Sequence, residues 1–222
     1  MIAPRPLAAE MLGTAFLLAT IVGSGVMGDT LSGGLPGLAL FPHAVAIGAM
    51  LFVLITLFGP ISGAHFNPAV TMVFALRGEI SPRLAIAFAA AQILGAVLGV
   101  WAAHLMFDLS ILQVSGKLRS SAGQWSAEVI ATFGLLMVIL AGLRVRAEAV
   151  PALVGLYIMA ALWFTASTSF ANPAVTIARS MTDTFSGIEP AHVPAFLAAQ
   201  IAGALLAWRL VPWLWPESAS KD

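Results

Sequence analysis

The chain has 222 residues, of which 60% are hydrophobic and 9% charged, against roughly 25% charged in soluble globular domains. Its net charge is zero and it contains no cysteine, which excludes a basic nucleic-acid surface, disulfides and thiolate metal sites. The class left is an integral membrane protein.

A hydrocarbon core about 30 Å thick takes roughly 20 apolar residues per helix. Six segments meet that demand, at 7–27, 38–59, 83–106, 125–143, 150–168 and 191–213. Between the second and third lies Asn67-Pro68-Ala69-Val70-Thr71, and between the fifth and sixth lies Asn172-Pro173-Ala174-Val175-Thr176; these hold the only two asparagines of the chain. Asparagine is a favoured N-cap and proline suits the first turn, where its missing N–H is no loss. Each motif therefore reads as a helix start. The first helix spans about 67–77, before Gly78 and Ser81-Pro82, and the second about 173–182. Ten residues rise about 15 Å, half a membrane.

The halves repeat. Ala-Glu-Met-Leu-Gly-Thr from Ala9 parallels Ala-Glu-Val-Ile-Ala-Thr from Ala127, and Ala-Phe-Ala-Ala-Ala-Gln from Ala87 parallels Ala-Phe-Leu-Ala-Ala-Gln from Ala195. One domain, 1–222, thus divides into repeats 1–117 and 118–222, each with three spans and one half-helix. Three is odd, so the second repeat is inverted, and equivalent residues meet at the midplane. Two half-helices entering from opposite faces bring their positive dipole ends together there. Broken helices at this depth are tolerated only where they are packed in protein or line an aqueous cavity, which implies a path. With both termini in the cytoplasm, that side collects Arg5, Arg77, Arg83, Arg144, Arg146, Arg209 and Lys221, and the other side Lys117, Arg119 and Arg179. The positive-inside rule favours this orientation.

Ser62-Gly63-Ala64-His65-Phe66-Asn67-Pro68-Ala69-Val70-Thr71 resembles the first signature of the aquaporin and aquaglyceroporin family, and Asn172-Pro173-Ala174 the second. The resemblance extends over essentially the whole chain, including Glu10 and Glu128 in the first helix of each half. It implies an all-α fold: a right-handed bundle of six transmembrane helices plus two re-entrant half-helices. It also implies a homotetramer in the lipid bilayer with one pore per protomer and no cofactor. The two asparagines would donate hydrogen bonds to the permeating oxygen, and Glu10 and Glu128 would accept them from the motif loops.

One departure concerns selectivity. The family usually carries arginine directly after the second motif, and this chain has Val175. Counting from the motifs as in the family, the other constriction positions fall at Ile47 or its neighbour Gly48, at Ala160, and at Ser169 through its carbonyl. Such a filter is wide, uncharged and aliphatic, and suits uncharged solutes larger than water. The second motif resembles that of bacterial members associated with arsenic resistance. That likeness implies a bacterial plasma membrane and passage of arsenious acid, and extends to methylated arsenicals, glycerol and water. A water-selective channel or general aquaglyceroporin is the alternative; a coupled secondary transporter would need an ion site at the midplane, where only uncharged asparagines fall.

Other polar residues have two readings. Arg179 is either a displaced filter arginine facing the vestibule or an (i, i+4) partner of Asp183. Glu10 and Glu128 are buried carboxylates that either relay protons or hold loop backbone. His65 is a gating residue of the inner vestibule or a hydrogen-bonding loop residue, and His43 is placed to line the outer vestibule. His104 and His192 read as interfacial, and Trp163 as packed near the path. No histidine or carboxylate pair has metal-ligand spacing, so no metal site is expected.

Overall fold

In a computed structural model, which describes residues 3–33 and 35–216, the chain forms eight α-helices. Lys221, counted above among the cytoplasmic cations, lies outside the described residues. Among the described residues six helical stretches are long and apolar enough to cross a membrane: α1 Pro4–Leu31, α2 Pro36–Ser62, α4 Pro82–Met106, α5 Ala122–Val145, α6 Val150–Phe164 together with the 3-10 turn Ala147–Ala149, and α8 Val193–Leu214 together with the 3-10 turn Pro190–His192. The remaining two, α3 Pro68–Leu76 and α7 Pro173–Arg179, are the half-helices. Proline occupies the first turn of seven of these helices, all but α5, where the lost N–H is an orphan donor in any case.

Two spans end differently from the apolar pattern. Helix α6 stops at Phe164, where Thr165 turns extended and its hydroxyl takes the carbonyl of Ala161; residues 165–171 become the loop that delivers the second motif. Helix α7 stops at Arg179, about one turn short of expectation, because Ser180 and Met181 fold into a tight turn.

Polarity runs inside out. Glu10, Gln92, His104, Glu128 and Gln200 are fully buried, whereas Leu57, Ile86, Leu105 and Trp213 face outward. Helices apolar on all sides suit a lipid surround. Helix α1 packs on α2 and α4, and α5 packs on α6 and α8 in the same arrangement, with α2 against α6 across the centre. Small residues set these contacts. A Cβ on Gly95 would lie 2.1 Å from the carbonyl of Met11, and one on Gly203 would lie 2.4 Å from that of Val129.

Gly203→Ala should therefore destabilise the fold by about 1–3 kcal/mol through overpacking, despite alanine's helix propensity being about 1 kcal/mol better. Thermal unfolding in detergent checks this; an unchanged melting temperature would show that α5 and α8 can separate freely.

Candidate functional site

Ahead of each motif the chain passes through left-handed backbone at matching positions: Gly63, Ala64 and Phe66 before the first, Thr168, Ser169 and Ala171 before the second. These turns bring the two asparagines together. The Asn67 side chain caps α3 by accepting from the Ala69 N–H at 2.9 Å, and its Nδ2 donates to the carbonyl of Ala171 at 2.8 Å. Asn172 caps α7 by accepting from Ala174 and Val175, and its Nδ2 donates to the carbonyl of Phe66 at 2.8 Å. Each amide so bridges its own helix and the opposite loop. A carboxamide nitrogen carries two N–H donors, so one on each asparagine remains for the cavity that both line.

Loop N–H groups left outside a helical ladder need acceptors at this depth. Glu10 accepts from the N–H groups of His65 and Phe66, from Ser62 Oγ and from Gln92 Nε2. Glu128 accepts from Phe170 N, Ala171 N and Gln200 Nε2 at 2.7–2.9 Å. Both glutamines also donate to a half-helix threonine, Gln92 to Thr71 and Gln200 to Thr176. The carboxylates thus serve as acceptors for backbone and amide donors.

A slender cavity, with about 70 Å³ of room for water-sized molecules, passes between the halves and past both asparagines. Its walls are chiefly aliphatic, and they too repeat. Leu17 and Ile21 of α1 answer Leu135 and Ile139 of α5, while Ile47 and Leu51 of α2 answer Val154 and Ile158 of α6. Ile47 and Val175 line the cavity, and so does Ser169, whose Oγ is buried without a hydrogen-bond partner among the described residues.

The structure moves two expected filter positions out of the cavity. Gly48 sits at the α2–α6 contact, where a Cβ would meet the side chain of Met159 at 2.2 Å and the carbonyl of Gly155 at 2.7 Å. Ala160 is exposed on the outer side of α6. At 3.6 residues per turn it lies about 160° around the helix from Ile158, which lines the cavity together with Leu162. The motif-based count missed these residues; the duplication signals them, since Ile158 stands 107 positions after Leu51 as Gly155 does after Gly48.

His65 lines the cavity and is held by Thr71 Oγ1 at 3.1 Å and by the ring of Phe74. His43 is buried against Phe185, bonded to Ser24 Oγ at 2.8 Å, and is absent from the cavity wall. His104 is fully buried, bridging Thr182 and the Ile111 carbonyl, and is not interfacial. Trp163 is 52% exposed on the lipid side rather than near the path. Among the described residues no cluster of three metal-ligating side chains occurs.

Arg179 does not pair with Asp183, whose Oδ1 accepts from the Gly116 N–H instead. The arginine is 4% exposed and lines the cavity. Its Nε donates to the Ser186 carbonyl, and its guanidinium lies 3.4 Å from the centroid of the Phe170 ring. A desolvated cation–π contact of this kind contributes about 2 kcal/mol. Near the same ring lies Arg119, 5.0 Å from its centroid, donating to the carbonyls of Gly187 and Ser167; burial lowers its guanidinium pKa to about 10. Sequence reading had placed Arg119 only as a loop cation and had not singled out Phe170, which occupies the place of His65 in the second repeat.

Replacing Glu128 with glutamine turns one of its two acceptor oxygens into an NH2 donor facing an N–H donor and should cost about 1–3 kcal/mol. Unfolding in detergent measures it; a variant as stable as the parent would mean that the Phe170 and Ala171 N–H groups have other partners.

Residues 3–170 match the family described as Major intrinsic protein. The chain is 55% identical over 210 residues to the aquaglyceroporin AqpS of Rhizobium meliloti, covering 95% of this chain and 90% of that one. It is 33% identical over 206 residues to the aquaporin NIP1-1 of Oryza sativa subsp. japonica, covering 90% and 71%. The X-ray structure of the aquaglyceroporin from Plasmodium falciparum has the same fold, with a TM-score of 0.70 at 22% identity over 93% of this chain and 94% of that chain. With a family match across most of its length and a relative alike nearly end to end, this protein belongs to the major intrinsic protein family, whose members are passive membrane channels and not enzymes.

Proposed function

We propose that the cavity conducts small uncharged solutes wider than water, including glycerol and arsenious acid, with methylated arsenicals and water as further cargo. The observation that carries this reading is Val175 on the cavity wall, directly after the second motif, with Ile47 also on the wall. A short aliphatic side chain leaves open the space that an arginine would fill. The free Nδ2–H of each asparagine offers a donor to a passing hydroxyl, and the aliphatic walls suit the carbon face of a polyol. Arsenious acid is neutral and carries three hydroxyls, so it presents the same chemistry as a small polyol. The likeness to a bacterial aquaglyceroporin supports the glycerol reading and a plasma-membrane location.

The repeats 1–117 and 118–222 act as two halves of one pathway, with Pro68, Ala69, Pro173 and Ala174 holding the asparagines in place. The protein works as a homotetramer with cytoplasmic termini. A coupled transporter fits less well, because the midplane groups are neutral amides.

Light scattering of proteoliposomes after osmotic shock with sucrose, glycerol or arsenious acid tests the reading. The wild type should pass glycerol and arsenious acid, and Val175→Arg should reduce both at least about tenfold while retaining water. A wild type that passes water alone would overturn the wide-filter reading and the metalloid assignment with it.

A further inference from the structure

The position after the second motif carries no charge, yet the cavity is not uncharged. Arg179 ends α7, and side chains on a helix lean toward its N-terminus, so the guanidinium reaches back toward Val175, about 6 Å along the axis. Its geometry is fixed on two sides, by the Ser186 carbonyl at Nε and by the face of Phe170. Neither Nη1 nor Nη2 has a hydrogen-bond partner among the described residues, and the group lines the cavity while being 4% exposed. Ser169 Oγ, buried and unpartnered, lines the same cavity.

No carboxylate among the described residues is hydrogen-bonded to this guanidinium. Asp183 is engaged by Gly116, and Glu128 by the loop N–H groups and Gln200. Besides Glu128, which acts on the guanidinium without bonding it, the neighbouring charges are positive: Arg119 near Phe170, and Lys117, whose ammonium donates to the Phe185 carbonyl at 2.6 Å. A fixed positive charge facing a narrow aliphatic passage acts over a low dielectric, where water screens it poorly.

We infer that this channel divides its filter between two residues, Val175 setting the width and Arg179, one helical turn outward, supplying the positive charge and the hydrogen-bond donors. The inference rests on the channel reading above. A neutral hydroxylated solute takes an Nη–H of Arg179 through one oxygen and donates to Ser169 Oγ through a hydroxyl. A cation of the same size is repelled at that point. Width and charge, carried elsewhere in the family by one arginine, are here separable by substitution.

The experiment compares glycerol flux and radiolabelled methylammonium flux in proteoliposomes of wild type, R179M, V175R and the double variant V175R/R179M. Methylammonium is a cation narrower than glycerol. The wild type should exclude it; R179M should admit it at least about tenfold faster, while glycerol flux falls with the loss of the Nη donors but stays measurable. The double variant should exclude methylammonium again and lose glycerol, because the charge has moved to the narrow position. A purely structural role for Arg179 would not be rescued by a cation at position 175. If methionine prevents insertion, R179Q, which keeps a donor for Ser186, enters the same comparison. An arginine-free variant that passes glycerol and excludes methylammonium as the wild type does would overturn the inference. A wild type closed to glycerol counts against the channel reading, and methylammonium flux in the variants still decides the role of Arg179.

Discussion

A membrane offers no water to a peptide group, and this fold breaks two helices in the middle of one. Each unsatisfied backbone group there costs several kcal/mol. The loops before Asn67 and Asn172 contain three left-handed residues apiece, so their N–H groups and carbonyls point away from any helical ladder. The buried polar side chains answer that demand. Glu10 and Glu128 collect the loop N–H groups, and the asparagines take one carbonyl from each opposite loop. The glutamines tie these carboxylates to α3 and α7 through Thr71 and Thr176. Among the described residues Gln92 Oε1, Gln200 Oε1 and Thr132 Oγ1 stay without partners away from the cavity, whereas one N–H on each asparagine amide and the hydroxyl of Ser169 are left over on its wall.

The apolar walls complete the logic. A solute leaving bulk water loses its hydration on the aliphatic sides and regains hydrogen bonds only along a polar edge. Ions lose far more than neutral molecules in that exchange. The positive ends of α3 and α7 meet at the asparagines, and Arg179, at the other end of α7, places a second positive group on the cavity wall. Most of the remaining wall is Leu, Ile and Val, which neither hold a solute nor offer a proton a relay.

Much of this was legible in the sequence because the demands of the membrane are blunt. Six apolar stretches and two Asn-Pro-Ala motifs are enough to locate the spans and the half-helices. Boundaries were less legible where polar side chains intervene. The apolar run of α6 extends to Thr168, but Thr165 turns the chain three residues earlier. The side of a helix that faces the cavity was harder still. Gly48 and Ala160 are small residues in suitable stretches, and small size has two meanings: room for a solute or room for a neighbouring helix. Gly48 takes the second, against Gly155. Arg179 shows another limit. Spacing of four residues on a short helix suggested Asp183 as its partner, whereas the chain beyond α7 folds back to present Ser186, and Phe170 arrives from a loop on the other side of the motif. Contacts between loops leave little trace in periodicity.

The reciprocal bonds between Asn67 and Ala171, and between Asn172 and Phe66, also bear on how the molecule is made. During synthesis the first motif emerges about a hundred residues before the second. In that interval the carbonyl of Phe66 and the amide of Asn67 face a bilayer that can satisfy neither. Neither of these two bonds can form until the second motif is in place, so the first half cannot acquire its finished midplane contacts alone.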